Sequence, residues 1–546
     1  MKKKIIKANS DNLINEWNRT RDIYQNWVAN TELKDFFYKN IKYDNFSLWW
    51  ICNLVNKDNE LDNSWYINLH NVLSKKKKIK KKFDFFINFF KLLKNFFFTL
   101  LFNFIIQKLS FTRYLNISYI NCFHSYDYHL KNDKKKIYDN LFGVAPIKKF
   151  KKKNIYLIQI IKYLNFFRDL TNIKKRKFFQ KNFILNEFIS IKEIIDIYYK
   201  IFILYFKCAN FLNKNKVFIL NKNFDCSNVL EPFLLKSFFG SIQSYLITSI
   251  AIKNFLNQNN SIKNFISYGA FLPGYCSNYF FIKKTINPPF VVTIQHAYSH
   301  ENKLFYQYSP NEFCKKNIDN SDSSYHPCPD LFFVQGSQYK KILKGFFKNK
   351  IKIIGALNRD VDNLYKNGSK LYNIKFNNLE KIILICPSVG DEEILFNFFN
   401  KIKHFSKDFK FILCPHPTSI NKVLKLFKES IELSEIEYYS NLTTNSLLPM
   451  SFLVISSLSA VAFDALLFGI HSIRVFDRTR PPVFSDIKLS PIIENKQQFS
   501  FFLKNLPSKH HRSIIKKLII KDLFYKLDNN SYLRFWIYLQ KFNNIK

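Results

Sequence analysis

The chain has 546 residues, enough for two or three domains with full cores, and a formal net charge of +43. Lys, Asn, Ile and Phe dominate while Gly and Ala are scarce, a bias that scatters lysine over every tolerant surface; with no recognised binding motif beside it, the charge does not indicate a nucleic-acid partner. Nine cysteines stand without a CxxC pair, which fits a reducing compartment rather than a disulfide-stapled secreted scaffold.

The start, MKKKIIKANSDN, is basic with no apolar run behind it and reads as lacking a signal peptide. Residues 1–110 read as an N-terminal helical region, Trp-rich around 46–55, with a membrane-associating segment over 75–107. There KKKKIKKK (75–82) precedes an apolar stretch in which Asp84, Asn88, Lys91, Asn95, Thr99 and Asn103 recur every three or four residues. At 100° per residue they form one drifting polar stripe, the pattern of a helix lying in a membrane interface. The lysine run would add attraction to an anionic membrane surface. A buried core helix and a spanning helix stay open as alternatives. The expected localisation is cytoplasmic, peripheral on the inner face of the plasma membrane.

From 111 to 372 short apolar runs alternate with helical ones. YLNISYINCF, KNIYLIQII, NFISYGAF, PPFVVTIQH, PDLFFVQ and KIKIIG read as strands, with a helix over 241–258. A second such run covers 373–500, and 501–546 reads as an amphipathic helical tail. The fold class expected is α/β: two Rossmann-like domains facing a cleft, behind an N-terminal helical, membrane-interfacial extension.

Polar residues delivered at strand ends are the candidates for chemistry. Gln295 and His296 end the PPFVVTIQH strand, where an imidazole suits general-base work; a histidine that merely bonds a neighbouring loop is the alternative. Cys414-Pro415-His416-Pro417 ends another strand, two prolines fixing the backbone around an imidazole that could donate to a phosphate oxygen. In SFLVISSLSAVAFDALLFG, Ser456, Ser457 and Ser459 precede a helix carrying Asp464, an arrangement for donor phosphate and a ribose hydroxyl; plain helix capping explains one serine more easily than three. Gly336 in VQGSQY reads as a tight strand-to-helix turn, and Gly355, Arg359 and Asp360 follow a further strand. The DVD at 360–362 is better explained as acids at a helix start than as a metal site, and Cys314, His326 and Cys328 lack the paired spacing and the fourth ligand zinc requires. No metal and no cofactor are expected.

Read in order, TIQHAYSH, PDLFFVQGSQYKKIL, IKIIGALNRD, KIILICPS, ILCPHP and VISSLSAVAFDALLFG resemble the motifs of a bacterial surface-carbohydrate biosynthesis family, similar to capsule polysaccharide transferases and CDP-glycerol glycerophosphotransferases of GT-B fold. The resemblance covers about residues 264–477 and implies a GT-B-like fold, with 111–372 as the acceptor domain and 373–500 as the nucleotide-donor domain. It implies a metal-independent, inverting glycosyltransferase moving a sugar from a nucleotide-activated donor to a glycan or lipid-linked acceptor, in a surface polysaccharide or lipopolysaccharide. His296 would match the base, and His416, Ser456 and Ser457 the donor-phosphate contacts; Asp464 stands where relatives carry Glu. Gln295, Gly336, Gly355, Arg359 and Ser459 complete the expected binding set. The chain departs from the pattern in YGAFLPGYC, which lacks the Glu found before the Gln–His strand, and in Ala297, where Gly is usual. A polyol-phosphate transferase, a sugar-nucleotide 2-epimerase and a catalytically inactive scaffold of glycan assembly are the rival readings.

Overall fold

The computed structural model describes residues 2–56, 64–75, 84–109, 120–125, 130–133, 136–139, 154–158, 182–268, 273–295, 327–343, 351–357, 381–417, 419–440, 442, 444–476, 490–508, 513, 517, 520–526, 528 and 530–543. Two parallel sheets organise them. The first contains β1 (Asn121–Ser125), β2 (Asn154–Ile158), β3 (Asn182–Ile184), β4 (Asn264–Tyr268), β5 (Phe290–Ile294), β6 (Leu331–Val334) and β7 (Ile351–Ile353), in the order β7-β6-β5-β4-β1-β2-β3. The second contains β8 (Ile382–Ile385), β9 (Lys410–Leu413), β10 (Glu437–Tyr438), β11 (Ser451–Ser456), β12 (His471–Val475) and β13 (Ile492–Ile493), in the order β10-β9-β8-β11-β12-β13. Both are doubly wound: the chain moves one way from the first strand, then returns to its other side at the fourth. The α/β, two-Rossmann reading therefore holds. Central strands such as β5, β6 and β8 are buried along their whole length, because helices cover both faces of a parallel sheet. That double burial is why they read as unbroken apolar runs.

The helices α1 (Lys2–Asn30), α2 (Glu32–Asn40), α3 (Ser64–Leu73) and α4 (Phe85–Leu109) precede the first sheet, and α5 (Ile191–Lys214), α6 (Ser241–Gln258) and α7 (Pro273–Lys283) interleave with it. They share one core with the sheet, running from Trp17, Tyr24, Trp49 and Trp50 through Ile194, Ile201 and Leu246 to Phe265 and Val291. Long-range bonds close it: Trp27 Nε1 donates to the Val217 carbonyl at 3.1 Å, and Asn53 Nδ2 to that of Phe233 at 2.9 Å. Among the described residues, no packing boundary separates the N-terminal helices from the first sheet. α5 opens with a capping box in which Ser190 and Glu193 satisfy each other's backbone N–H groups.

After the second sheet the chain returns to the first. A π-helical turn (Ile520–Phe524) lies against Gly336, and α13 (Ser531–Asn543), which follows α8 (Ser337–Leu343), α9 (Glu392–Ile402), α10 (Ile420–Leu426), α11 (Val461–Leu467) and α12 (Lys496–Lys504), packs Phe535, Trp536 and Leu539 onto Ile294, Phe333 and Ile354. Arg534 pins it, donating to the Ile354 carbonyl at 2.7 Å and pairing with Asp528 at 2.8 Å; that pairing holds the Asp528 carboxyl below its usual range. The two glycines on the first sheet's edge are glycines because this segment sits on them. A Cβ at Gly336 would run into the backbone of Asp522 and Leu523, and one at Gly355 (φ +90°) would meet Ser531 Oγ at 2.5 Å.

Gly336→Ala is expected to destabilise the protein by about 1–3 kcal/mol, the usual penalty for forcing a methyl into packed backbone, and to hasten proteolytic loss of the C-terminal helix. Denaturant titration and timed digestion measure the two effects. His124 on β1 is 3 % exposed, and burial pushes its pKa down to about 4. The unfolded imidazole titrates near 6.5, so below that pH the unfolded chain binds more protons and stability is lost as pH falls toward 4. His124 should remove about 2 kcal/mol between pH 8 and pH 5, and His124→Leu should flatten that part of the stability–pH curve.

Candidate functional site

The carboxyl edge of the second sheet gathers three strand-end turns. β9, β8 and β11 are neighbours, so the segments 414–417, 386–391 and 457–460 emerge side by side. The order reverses between β8 and β11, and the crossovers leaving them diverge to opposite faces, which opens a crevice there.

Asp391 bridges that crevice. It is fully buried at the N-cap of α9, where the helix dipole favours a negative charge. One carboxylate oxygen accepts from Ser388 N–H at 2.6 Å, the other from Leu458 N–H at 2.7 Å. The serine turn is thus tied to the turn after β8, and the Leu458 amide is already taken. Glu392, also buried, accepts from Gly390 N–H at 3.1 Å and pairs with Lys422 of α10 at 3.1 Å. Asp391 is absent from the residues that sequence reasoning singles out; an acid three residues after a serine at a strand end, in CPSVGDEE, is the signal available for it.

The three serines divide by role. Ser459 Oγ accepts from Val461 N–H at 3.3 Å, a local cap of α11. Ser456, the last residue of β11, is wholly buried, and its hydroxyl has no hydrogen-bond partner among the described residues. Ser457 is 9 % exposed beside it, and Asp464 is half-buried on α11. His416 is held by its backbone: its N–H donates to the Pro387 carbonyl at 2.9 Å, and its carbonyl accepts from Ser419 N–H at 2.9 Å. The side chain is left exposed, although enough of the ring is desolvated by the turns to lower its pKa and favour the neutral form. Beneath lie two buried thiols in contact, Cys386 and Cys414; the Cys414 contact and burial hold the Cys386 thiol well above its ordinary pKa.

At the first sheet, Gln295 ends β5 but turns into the sheet. It is 4 % exposed, and its Oε1 accepts from Gln335 N–H at 2.9 Å, clamping the ends of β5 and β6. His296 and Arg359 lie outside the described residues, with His296 the next residue beyond that clamp. Gly336 and Gly355 sit under the C-terminal segment. Ser267 and Thr293, on the neighbouring strands β4 and β5 and paired in register, bring their hydroxyls toward Tyr279 of α7 without reaching hydrogen-bond geometry. Burial raises the Tyr279 pKa, against the lowering effect of those hydroxyls.

No protein-family model matches the sequence, and no curated protein matches it. Among solved structures, the chain is similar to UDP-GlcNAc 2-epimerase from Neisseria meningitidis bound to UDP-GlcNAc (12 % identity over 78 % of this chain and 100 % of that one, TM-score 0.45). It is also similar to UDP-N-acetylglucosamine 2-epimerase from Rickettsia bellii (11 %, 79 % and 98 %, TM-score 0.44). A third is the wall teichoic acid polymerase TagF, in a form soaked with CDPG (12 %, 84 % and 96 %, TM-score 0.42). Likeness of this degree concerns the general course of the chain and assigns no chemistry.

Asp391→Ala would leave the Ser388 and Leu458 N–H groups, both half-buried, without their acceptor. Each charge-assisted bond contributes about 1.5–3 kcal/mol, so a loss of about 3–6 kcal/mol is expected in denaturant titration, with Asp391→Asn between wild type and Asp391→Ala because its amide can replace only one acceptor.

Proposed function

We propose that the chain is a transferase that moves a sugar from a nucleotide-activated donor to a surface polysaccharide or lipopolysaccharide acceptor, with the donor bound at the carboxyl edge of the second sheet. The observation that carries this reading is that the Ser456 and His416 turns flank the end of β8, beside the point where that sheet's strand order reverses, with a buried Ser456 hydroxyl that has no hydrogen-bond partner among the described residues. A buried hydroxyl without a hydrogen bond costs about 1–3 kcal/mol. A donor phosphate oxygen reaching the end of β11 would supply the missing bond, and the exposed, backbone-fixed His416 could donate to the same diphosphate.

In this mechanism His296, the residue that follows Gln295 in the sequence, accepts the proton of the acceptor hydroxyl. The hydroxyl oxygen attacks the anomeric carbon, and the bond from that carbon to the donor phosphate oxygen breaks. The nucleoside diphosphate leaves with its new charge held by His416 and the serine turn. No residue in this scheme is a metal ligand. Asp391 positions the serine turn and does not touch the donor.

The test titrates CMP, CDP, UDP and GDP against the full-length protein by calorimetry. One nucleotide should bind, and His416→Ala should weaken it by about 10- to 100-fold, the worth of one charge-assisted hydrogen bond. Ser456→Ala discriminates further. Removing a hydroxyl that has no partner among the described residues should leave the free protein as stable as before or slightly more so, while lowering affinity. Binding of none of the four by folded protein would sink the donor site; CDP alone would move the chemistry to polyol-phosphate transfer with attack at phosphorus.

A further inference from the structure

α4 is built inside out. In its C-terminal half two polar residues face the protein, Asn103, fully buried and donating to the Ile189 carbonyl at 2.8 Å, and Gln107, donating to the same carbonyl at 2.6 Å, while Thr99 bonds within the helix to the Asn95 carbonyl at 2.7 Å. The opposite face carries Phe86, Ile87, Phe90, Phe97, Leu101 and Phe104, each roughly half to two-thirds exposed. A solvated helix has the reverse polarity.

The neighbouring helix extends the same surface. α5 buries Ile194, Ile197, Ile201 and Tyr205 in the core, while Ile195, Tyr199, Ile203 and Phe206, three or four residues apart, point outward at 46–66 % exposure. The two helices are stitched together by aromatic contacts, Phe85 with Tyr205 and Phe206, Phe89 with Phe202, and Phe96 with Tyr198. Ten large apolar side chains on two adjacent helices make one patch far beyond the isolated apolar residues normal on a soluble surface.

Charge identifies the occupant. The seven lysines of 75–82 lead directly into α4 in the sequence, and Lys91, Lys94, Lys108, Lys192, Lys200 and Lys207 stand exposed on the two helices. Aromatic and aliphatic side chains fringed by lysines fit the acyl–headgroup boundary of an anionic bilayer, with the lysine stems snorkelling toward phosphate. Each acidic lipid near the surface adds attraction for such lysines, whereas a second protein copy would set two basic rims against each other. α4 passes the length and composition test for a membrane-crossing helix, but its polar face is bonded to the folded body, and Phe102 and Ile106 pack on Ile184, so crossing would strip those bonds.

We propose that α4 and α5 together form a monotopic platform that seats the protein on an anionic lipid surface, the helices lying in the interface and the folded body remaining in water. This goes beyond the transferase reading and does not depend on it.

The experiment is co-sedimentation of the full-length protein with phosphatidylcholine vesicles, with and without phosphatidylglycerol. Wild type should pellet with the anionic vesicles and be released by high salt. Phe90→Asp with Phe97→Asp on α4, and separately Tyr199→Asp with Ile203→Asp on α5, should each weaken binding by at least about tenfold, while Phe501→Asp, an exposed residue of α12, should not. All the replaced side chains are already exposed, so folding is preserved, and circular dichroism verifies it. The proposal is overturned if wild type stays in the supernatant, if the α5 pair binds as wild type does, or if alkaline carbonate fails to extract the protein from vesicles. A lipid-free dimer dispersed by the same substitutions, without vesicle binding, overturns it in favour of self-association.

Discussion

One buried carboxylate holds the second sheet's working edge together. Where a parallel sheet reverses its winding, the two crossovers part, and nothing in the strand ladder joins the turns on either side. Asp391 does so by taking one backbone N–H from each. A carboxylate in this position needs donors to offset its desolvation, and it finds them in two amides and the start of α9. The consequence reaches the chemistry. On the proposed reading, with Leu458 N–H committed to Asp391, a donor phosphate would rely on the serine hydroxyls and the His416 ring rather than on that amide.

The core strands are legible in the sequence because physics makes them so. Runs such as FVVTI, LFFV and IILI are apolar throughout since helices press on both faces, and the helix at Ser241–Gln258 shows its own bounds. The weaker strands do not show: Asn182–Ile184, Glu437–Tyr438 and Ile492–Ile493 are two or three residues long, too short for any period to appear. α5 is hidden because IYYKIFILYFK is rich in β-branched and aromatic residues that suit a strand as well as a helix. Its capping box, Ser190 with Glu193, is the sign that decides for a helix.

Direction is harder to read than position. Gln295 stands at a strand end, as its sequence suggests, but its amide turns inward to clamp Gln335, since a buried N–H at the end of β6 needs an acceptor. Ser459 accepts from Val461 N–H at the start of α11 while the Ser456 hydroxyl has no partner among the described residues, a division that spacing cannot give. Gly336 and Gly355 owe their identity to a C-terminal segment much later in the chain, a contact no local pattern encodes. The polar stripe of α4 shows the same gap most clearly. Its period is evident, but a period fixes only that two faces differ. Which one meets the protein depends on the partner, and here Ile189 offers a carbonyl to Asn103 and Gln107 that water would otherwise have to satisfy.

Packing joins the apolar platform to the rest of the molecule. α5 and α6 belong to the core that contains Phe265 and Val291 of the first sheet, and close-packed interiors transmit position with little give. Seating α4 and α5 on lipid would therefore set the height and tilt of β4 and β5, and with them the residues that follow Gln295. From the second sheet the chain crosses back and packs α13 onto β5, β6 and the residues after β7 through Phe535, Trp536 and Arg534. On the proposed reading, an acceptor side on the first sheet would be referenced to the lipid surface. For an acceptor confined to a membrane, such a reference converts a search through volume into one across a plane, raising its effective concentration without any added contact at the reacting atoms. On this argument the lysines and phenylalanines that compositional bias supplied in excess are, along these two helices, sorted into an arrangement with a physical use.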